Sequence, residues 1–157
     1  MDNTIDYRLE QLGITLPEAS TPAANYVPFT LAGDLVFVSG QITVWNGKLK
    51  YTGRIGEKLS VEDGYEAARI CGLNLISQLK SATHGNLNLV KKVVKLGGFV
   101  SSSSKFTDQP KVINGASDLM VEVFGEEIGT HARFAVSAPK LPLDSATEVD
   151  GIFQISR

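Results

Sequence analysis

His131-Ala132-Arg133-Phe134-Ala135-Val136, followed by Leu141-Pro142 and then Thr147-Glu148-Val149-Asp150, is the stretch on which the reading of this chain turns. It reads as two short strands joined by a proline-containing connection. Strand alternation sends Ala132, Phe134 and Val136 to one face and Arg133, Ala135 and Ser137 to the other. An arginine in that position has two readings. One is a surface residue in a salt bridge. The other is an anion clamp, because a guanidinium presents a planar fork of donors matched to a carboxylate and keeps its charge at any working pH. The small neighbours Ala135 and Ser137 leave room for a ligand beside it. Glu148 and Asp150 fall on one face of the second strand. Such a like-charged pair either raises one pKa and supplies a general acid or base, or is simply solvated.

Composition bounds what surrounds these strands. A chain of 157 residues, 43% apolar and 20% charged, has the balance of one ordinary globular domain. We expect a single domain over 1–157, with 1–25 as an N-terminal extension. A formal net charge of −2 argues against a protein that binds nucleic acid by neutralising phosphates. The lone Cys71 has no internal disulfide partner, which fits a reducing cytoplasm. Met1 to Asp6 lacks the basic start and apolar run of a signal peptide. No segment is long and apolar enough to span a bilayer. The expectation is cytoplasmic, with no membrane partner.

Taken in order, Asp6 to Leu12 reads as a short helix ended by Gly13, and Leu16 to Ala24 as an extended linker. Two β-rich runs flank Gly33-Asp34, which predicts a hairpin. The second run, Leu35 to Ile42, opens almost continuously apolar, as in a strand covered on both faces. Trp45-Asn46-Gly47-Lys48 predicts a turn into a short strand near Leu49 to Tyr51. Ser60 is a good N-cap with Asp63 three residues on, and Val61, Tyr65, Ala68, Leu75, Ile76 and Leu79 follow at helical spacing. The stripe Gly64, Ala68, Gly72 predicts that this helix lies close to a sheet. Leu89 to Val100 reads as a strand with one partly wet face, in which Gly97-Gly98 marks a bulge or a close backbone approach. A second helix is predicted from an N-cap at Asp108, with Pro110 in its first turn, to a C-cap at Gly125; Glu126 to Thr130 then reads as a loop. Glu148 to Ser156 is the last strand. Two helices separated by sheet and packed on one of its faces make an α+β layer.

Other chemistry has little support. Cys71 has no histidine nearby in sequence and reads as a packing residue. His84 and His131 lie far apart without cysteine partners, which gives no metal signature. Ser39 is not in a Gly-x-Ser-x-Gly elbow, and Gly97-Gly98 is not a phosphate loop.

Tyr26, the segment Leu35-Val36-Phe37-Val38-Ser39-Gly40-Gln41, Asn114, Ala132-Arg133 and Leu141-Pro142 before Glu148 form a combination that resembles the RidA/YjgF family of enamine/imine deaminases. The resemblance runs from about Tyr26 to the end, and the helix before the first strand looks like a longer, mostly uncharacterised branch. It implies a chorismate-mutase-like α+β fold with a mixed sheet and two main helices on one face, after a short N-terminal helix. It also implies a homotrimer with ligand sites in clefts between subunits, and neither cofactor nor metal. By position, Arg133 matches the arginine that grips a substrate carboxylate and Glu148 the glutamate associated with the hydrolytic water. Tyr26 matches an aromatic lining the site, Ser39 and Gly40 the segment bordering it, and Asn114 an asparagine near the cleft. Two positions depart from the common pattern. Ala135 stands where many members have Cys, which enlarges the pocket. His131 stands where many have Pro, and places a charge or a proton donor next to the clamp.

The activity implied is hydrolysis of reactive 2-enamine/2-imine acids to 2-keto acids and ammonia. The alternative is a non-catalytic small-carboxylate-binding sensor or partner protein using the same cleft. The endoribonuclease activity sometimes attached to this family is the least attractive reading for a chain without basic excess.

Overall fold

The Gly33-Asp34 turn joins β1 (Phe29–Ala32) to β2 (Leu35–Gln41) with Ala32 opposite Leu35, the predicted two-residue hairpin. The structure, a computed structural model, describes residues 4–22 and 24–157. After the hairpin come β3 (Val44–Trp45) and β4 (Lys48–Leu49), a separate small ribbon turned at Asn46-Gly47. Then follow α2 (Val61–Ala82), β5 (Val90–Ser101), α3 (Gln109–Gly129), β6 (Ala132–Ala138) and β7 (Thr147–Ile155), with α1 (Ile5–Gln11) before them all. The main sheet has the order β1-β2-β7-β5-β6. Its β5–β6 pair is parallel, as a strand–helix–strand crossover through α3 requires, and the other pairs are antiparallel. This is the mixed sheet of the α+β expectation.

Both long helices cover one face of the sheet. Val36, Val38, Val93, Leu96, Val100, Val149 and Phe153 are buried beneath them. Phe37, Phe99, Phe134 and Val136 are 37–43% exposed on the opposite face. The reading of β2 as covered on both faces therefore fails within one chain, because its apolar run faces solvent on one side.

Ser60 and Asp63 form the predicted reciprocal cap of α2, each side chain bonded to the other's backbone N–H at 3.1 and 3.0 Å. The small-residue stripe needs correction. It serves the neighbouring helix, and not the sheet. A Cβ on Gly64 would meet Val112 of α3 at 2.9 Å, and one on Gly72 would meet Leu119 of α3 at 2.9 Å. The tightest point is Gly115 of α3, where a Cβ would collide with the backbone carbonyl of Tyr65 in α2. Gly97-Gly98 does mark close approach, since Gly98 lies against Ile113 of α3 with three of its side-chain carbons within 2.7 Å of an added Cβ. The register shifts of β5 fall earlier, between Val90 and Lys95.

The end of α3 also differs from the reading. Asp108 sits at the N-cap position without a capping bond from its side chain. Gly125 is no C-cap but a break inside the helix, at φ 82 and ψ 166, after which residues 126–129 turn helically again. Glycine adopts this backbone region without a Cβ clash. The last turn folds back, so that a Cβ on Gly129 would lie 2.8 Å from the Cα of Val121. Arg8 of α1 donates from Nε to the Glu122 carbonyl at 2.8 Å, beside the break. In the predicted linker, of which Ala23 lies outside the described residues, residues 16–22 carry no helix or strand and are tethered to α2: Ser77 Oγ donates to the Pro17 carbonyl at 2.7 Å and Gln78 Nε2 to that of Ser20 at 2.8 Å. No helix among the described residues is long and apolar enough to cross a membrane.

Gly115→Ala is expected to lose about 1–3 kcal/mol, because a backbone carbonyl cannot rotate out of the way and the two helices must part. Thermal unfolding checks this, at roughly 2–4 °C of Tm per kcal/mol. Gly72→Ala, whose Cβ would crowd a movable Leu119 methyl and otherwise make ordinary contact with Ala116, is expected to stay within about 1 kcal/mol, since alanine's better helix propensity offsets the crowding.

Candidate functional site

Arg133 lies on β6, an edge strand, with its side chain on the helix-covered side of the sheet, as alternation from the exposed Phe134 requires. Its Nη1 donates to Asn114 Oδ1 at 2.7 Å and to Ser117 Oγ at 3.1 Å. Asn114 and Ser117 are one turn apart on α3 and so share a face. Nε and Nη2 have no partner, and Arg133 makes no ion pair, among the described residues. The surface salt-bridge reading is not what the structure holds. One nitrogen is anchored by neutral oxygens, and the edge that can take a carboxylate is open. Ala135 follows two residues on along the same side of β6 and packs against the core.

His131 borders the same hollow, with Asn114, Ser117 and Asp118. Its Nδ1 lies 2.7 Å from the Gly129 carbonyl and its Nε2 2.9 Å from Ser117 Oγ. Burial pushes the imidazole pKa below the usual histidine range; the Gly129 carbonyl opposes that shift, while Arg133 and Lys92 add to it. Ser117 was not singled out from sequence. The signal was available in its i, i+3 spacing from Asn114.

A second cluster forms around the end of β2. Tyr26, Ser39 and Gly40 line a pocket together with Ser20, Thr21 and Pro22 of the N-terminal segment. Tyr26 is 58% exposed. Ser39 Oγ donates to the Val27 carbonyl at 2.7 Å, which ties β2 to the segment carrying Tyr26. The pairing of β2 with β7 slips between Val38 and Gln41, and this irregularity turns Gly40 toward Glu148. A Cβ on Gly40 would lie 3.1 Å from Glu148 Cδ and 3.3 Å from Oε1. The carboxylate therefore rests close over the Gly40 backbone, where any side chain would crowd it.

Glu148 has neither a hydrogen bond nor an ion pair among the described residues. Its pKa is raised, first by burial and then by the charge of Asp150. Asp150, on the same face of β7, is itself raised by burial, with the Gly97 N–H and Lys95 working the other way. The like-charged pair is thus placed as alternation predicted.

These two clusters lie apart. Arg133, Asn114 and Ala135 are on the helix side of β6, whereas Glu148 is on the uncovered face of β7, with β5 between the two strands. Within one chain the sheet itself separates the guanidinium from the carboxylate. Cys71 is buried in the core, its thiol pushed up to about 12 by burial, with Sγ 3.2 Å from Thr147 Oγ1.

Comparison with known proteins agrees with this architecture. The family model described as "YjgF/chorismate_mutase-like, putative endoribonuclease" matches residues 6–153. Protein TCP17 of Trypanosoma cruzi is 47% identical over 148 residues, 94% of this chain and 92% of that one. The crystal structure of Atu1372 from Agrobacterium tumefaciens, a protein of unknown function, superposes with a TM-score of 0.90 at 45% identity, covering 97% of this chain and 92% of that one. A "putative endoribonuclease" from Shewanella oneidensis MR-1 gives 0.93 at 37% identity, over 98% of this chain and all of that one. With its mixed sheet covered on one face by two helices, the chain has the chorismate-mutase-like fold and belongs to the RidA/YjgF family.

Proposed function

We propose that the chain hydrolyses reactive 2-enamine/2-imine acids to 2-keto acids and ammonia, in a cleft completed by a neighbouring copy in a homotrimer. The observation that carries this reading is the half-anchored guanidinium of Arg133, whose unpaired edge suits one carboxylate. Asn114, Arg133 and Ala135 of one protomer would face Tyr26, Ser39, Gly40 and Glu148 of the next. The uncovered sheet face supports assembly, because Phe37, Phe99, Phe134 and Val136 form an apolar surface that a second copy would bury.

The chemistry asks little of the protein. Water adds across the C=N bond of the imine, the nitrogen gains the protons and leaves as ammonia, and the carbon keeps the oxygen. Imines hydrolyse unaided, so the gain lies in orientation. Arg133 holds the carboxylate, and Glu148 holds the water or takes its proton. Ala135 leaves space for the substrate side chain, and Tyr26 with the Ser39-Gly40 backbone borders it. No step calls for a cofactor or metal.

The test is ammonia release from an imine freshly generated by amino-acid dehydration, together with the solution mass, expected at three times the 16.9 kDa chain. Arg133→Ala is expected to lose about 10²-fold or more of the acceleration, and Arg133→Lys nearly as much because the fork is lost although the charge remains. Unchanged rates in both variants would sink the mechanism. A keto acid that binds through Arg133 in a protein without turnover would establish the sensor reading instead.

The pH profile follows from Glu148. The base form is the carboxylate, and its raised pKa means that activity falls on acidification at a higher pH than an ordinary glutamate would dictate. Glu148→Gln removes this acid limb. Asp150→Asn moves it to lower pH, because the charge that adds to burial in raising Glu148 is gone.

A further inference from the structure

We propose that His131 is a positioning residue: through Ser117 it fixes the guanidinium of Arg133 and senses the charge of the anion held there. The proposal rests on the carboxylate-clamp reading of Arg133 and deepens it. A carbonyl only accepts, so His131 Nδ1, 2.7 Å from the Gly129 carbonyl, carries a proton. In the neutral ring Nε2 is then an acceptor, and the Ser117 hydroxyl, 2.9 Å away, donates to it. That leaves the Ser117 lone pairs for Arg133 Nη1 at 3.1 Å. The second Nη1 proton goes to Asn114 Oδ1 at 2.7 Å. Every proton in the chain has one place, and donation runs from Arg133 to Ser117 to His131 to the end of α3. The guanidinium is held in one orientation with Nε and Nη2 directed to no described residue.

The charged groups around the ring come from three elements. Arg133 lies on β6. Lys92 lies on β5, tied to the Glu127 carbonyl and Thr130 Oγ1. Asp118, on α3, lines the hollow and accepts from Tyr65 of α2 at 2.7 Å. An anion on Arg133 cancels the repulsion that a protonated His131 would meet there. By reciprocity, the protonated ring favours the anion. Protonation also reverses the link to Ser117: Nε2 becomes a donor, and the hydroxyl must turn its own proton away from the ring. Anion affinity therefore rises as pH falls through the His131 titration.

Calorimetric titration with 2-oxobutanoate between about pH 5 and 8 reads this coupling. The series runs in a Glu148→Gln background, because Glu148 also titrates in acid. Binding is expected to tighten about three- to tenfold toward acid pH with His131 present, and to lose that slope in His131→Gln. Ser117→Ala is expected to weaken binding at every pH and to flatten the slope. Ring ¹⁵N NMR gives a readout that needs no substitution at His131: a neutral ring protonated at Nδ1, with a pKa that rises when 2-oxobutanoate is added. If Arg133→Ala binds the keto acid as the parent does, the clamp reading itself fails. If Arg133→Ala abolishes binding while the His131 pKa ignores the ligand and His131→Gln keeps the slope, the positioning role alone is wrong.

Discussion

A half-buried guanidinium must have acceptors for its N–H groups, and which acceptors it finds decides what it can do. Arg133 finds neutral ones on α3, the Asn114 amide oxygen and the Ser117 hydroxyl. A carboxylate in their place would neutralise the charge, and an incoming anion would first have to break that pair. Neutral oxygens orient the group and leave its charge uncompensated. The rest of the helical layer follows from this geometry. α3 must lie close over the end of β5, which Gly98 permits against Ile113, and α2 must press on α3, which Gly115 permits against the Tyr65 carbonyl.

The sheet divides the candidate site. Its helix side carries the clamp, and its uncovered side carries a carboxylate raised by burial and by Asp150. Neither half is a catalytic constellation alone. The same uncovered side bears Phe99 and Phe134, packed edge to face at 5.4 Å, with Lys95 5.5 Å from the Phe134 ring centroid. An apolar face of that kind on a sheet without a second layer is most economically read as a surface between copies. In the proposed trimer one event covers the aromatic face and brings clamp and carboxylate together.

Where local chemistry determines structure, the sequence was readable. The Gly33-Asp34 hairpin, the Ser60/Asp63 cap and the alternation that separates Arg133 from Phe134 depend on neighbours a few residues away, and all three are present. Glu148 and Asp150 share a face for the same reason. What depends on distant partners is not legible in the local sequence. A small-residue stripe announces a close approach without naming what approaches: Gly64 and Gly72 suggest a neighbouring sheet, and they face α3. The apolar run of β2 likewise says that both faces avoid water, without saying that one chain covers only one. Ser117 escaped notice because a serine on a helix is ordinary until Arg133 and His131 are seen on either side of it.

The break at Gly125 is the feature least visible in sequence and the one that gives His131 its place. From Met120 to Gly129 a continuous helix would rise about 13 Å, carrying the last carbonyls away from the hollow. In the structure Gly129 instead lies against the backbone of Met120 and Val121, where any Cβ would collide. Two residues without side chains are needed, one to take the backbone at φ 82 and one to let the returning turn close. The returned carbonyl of Gly129 receives the His131 Nδ1–H and so fixes which ring nitrogen faces Ser117. A helix that ended at Gly125 in an open loop would leave that tautomer unselected. The order of hydrogen bonds reaching Arg133 is thus set by a fold-back four to eight residues upstream of it.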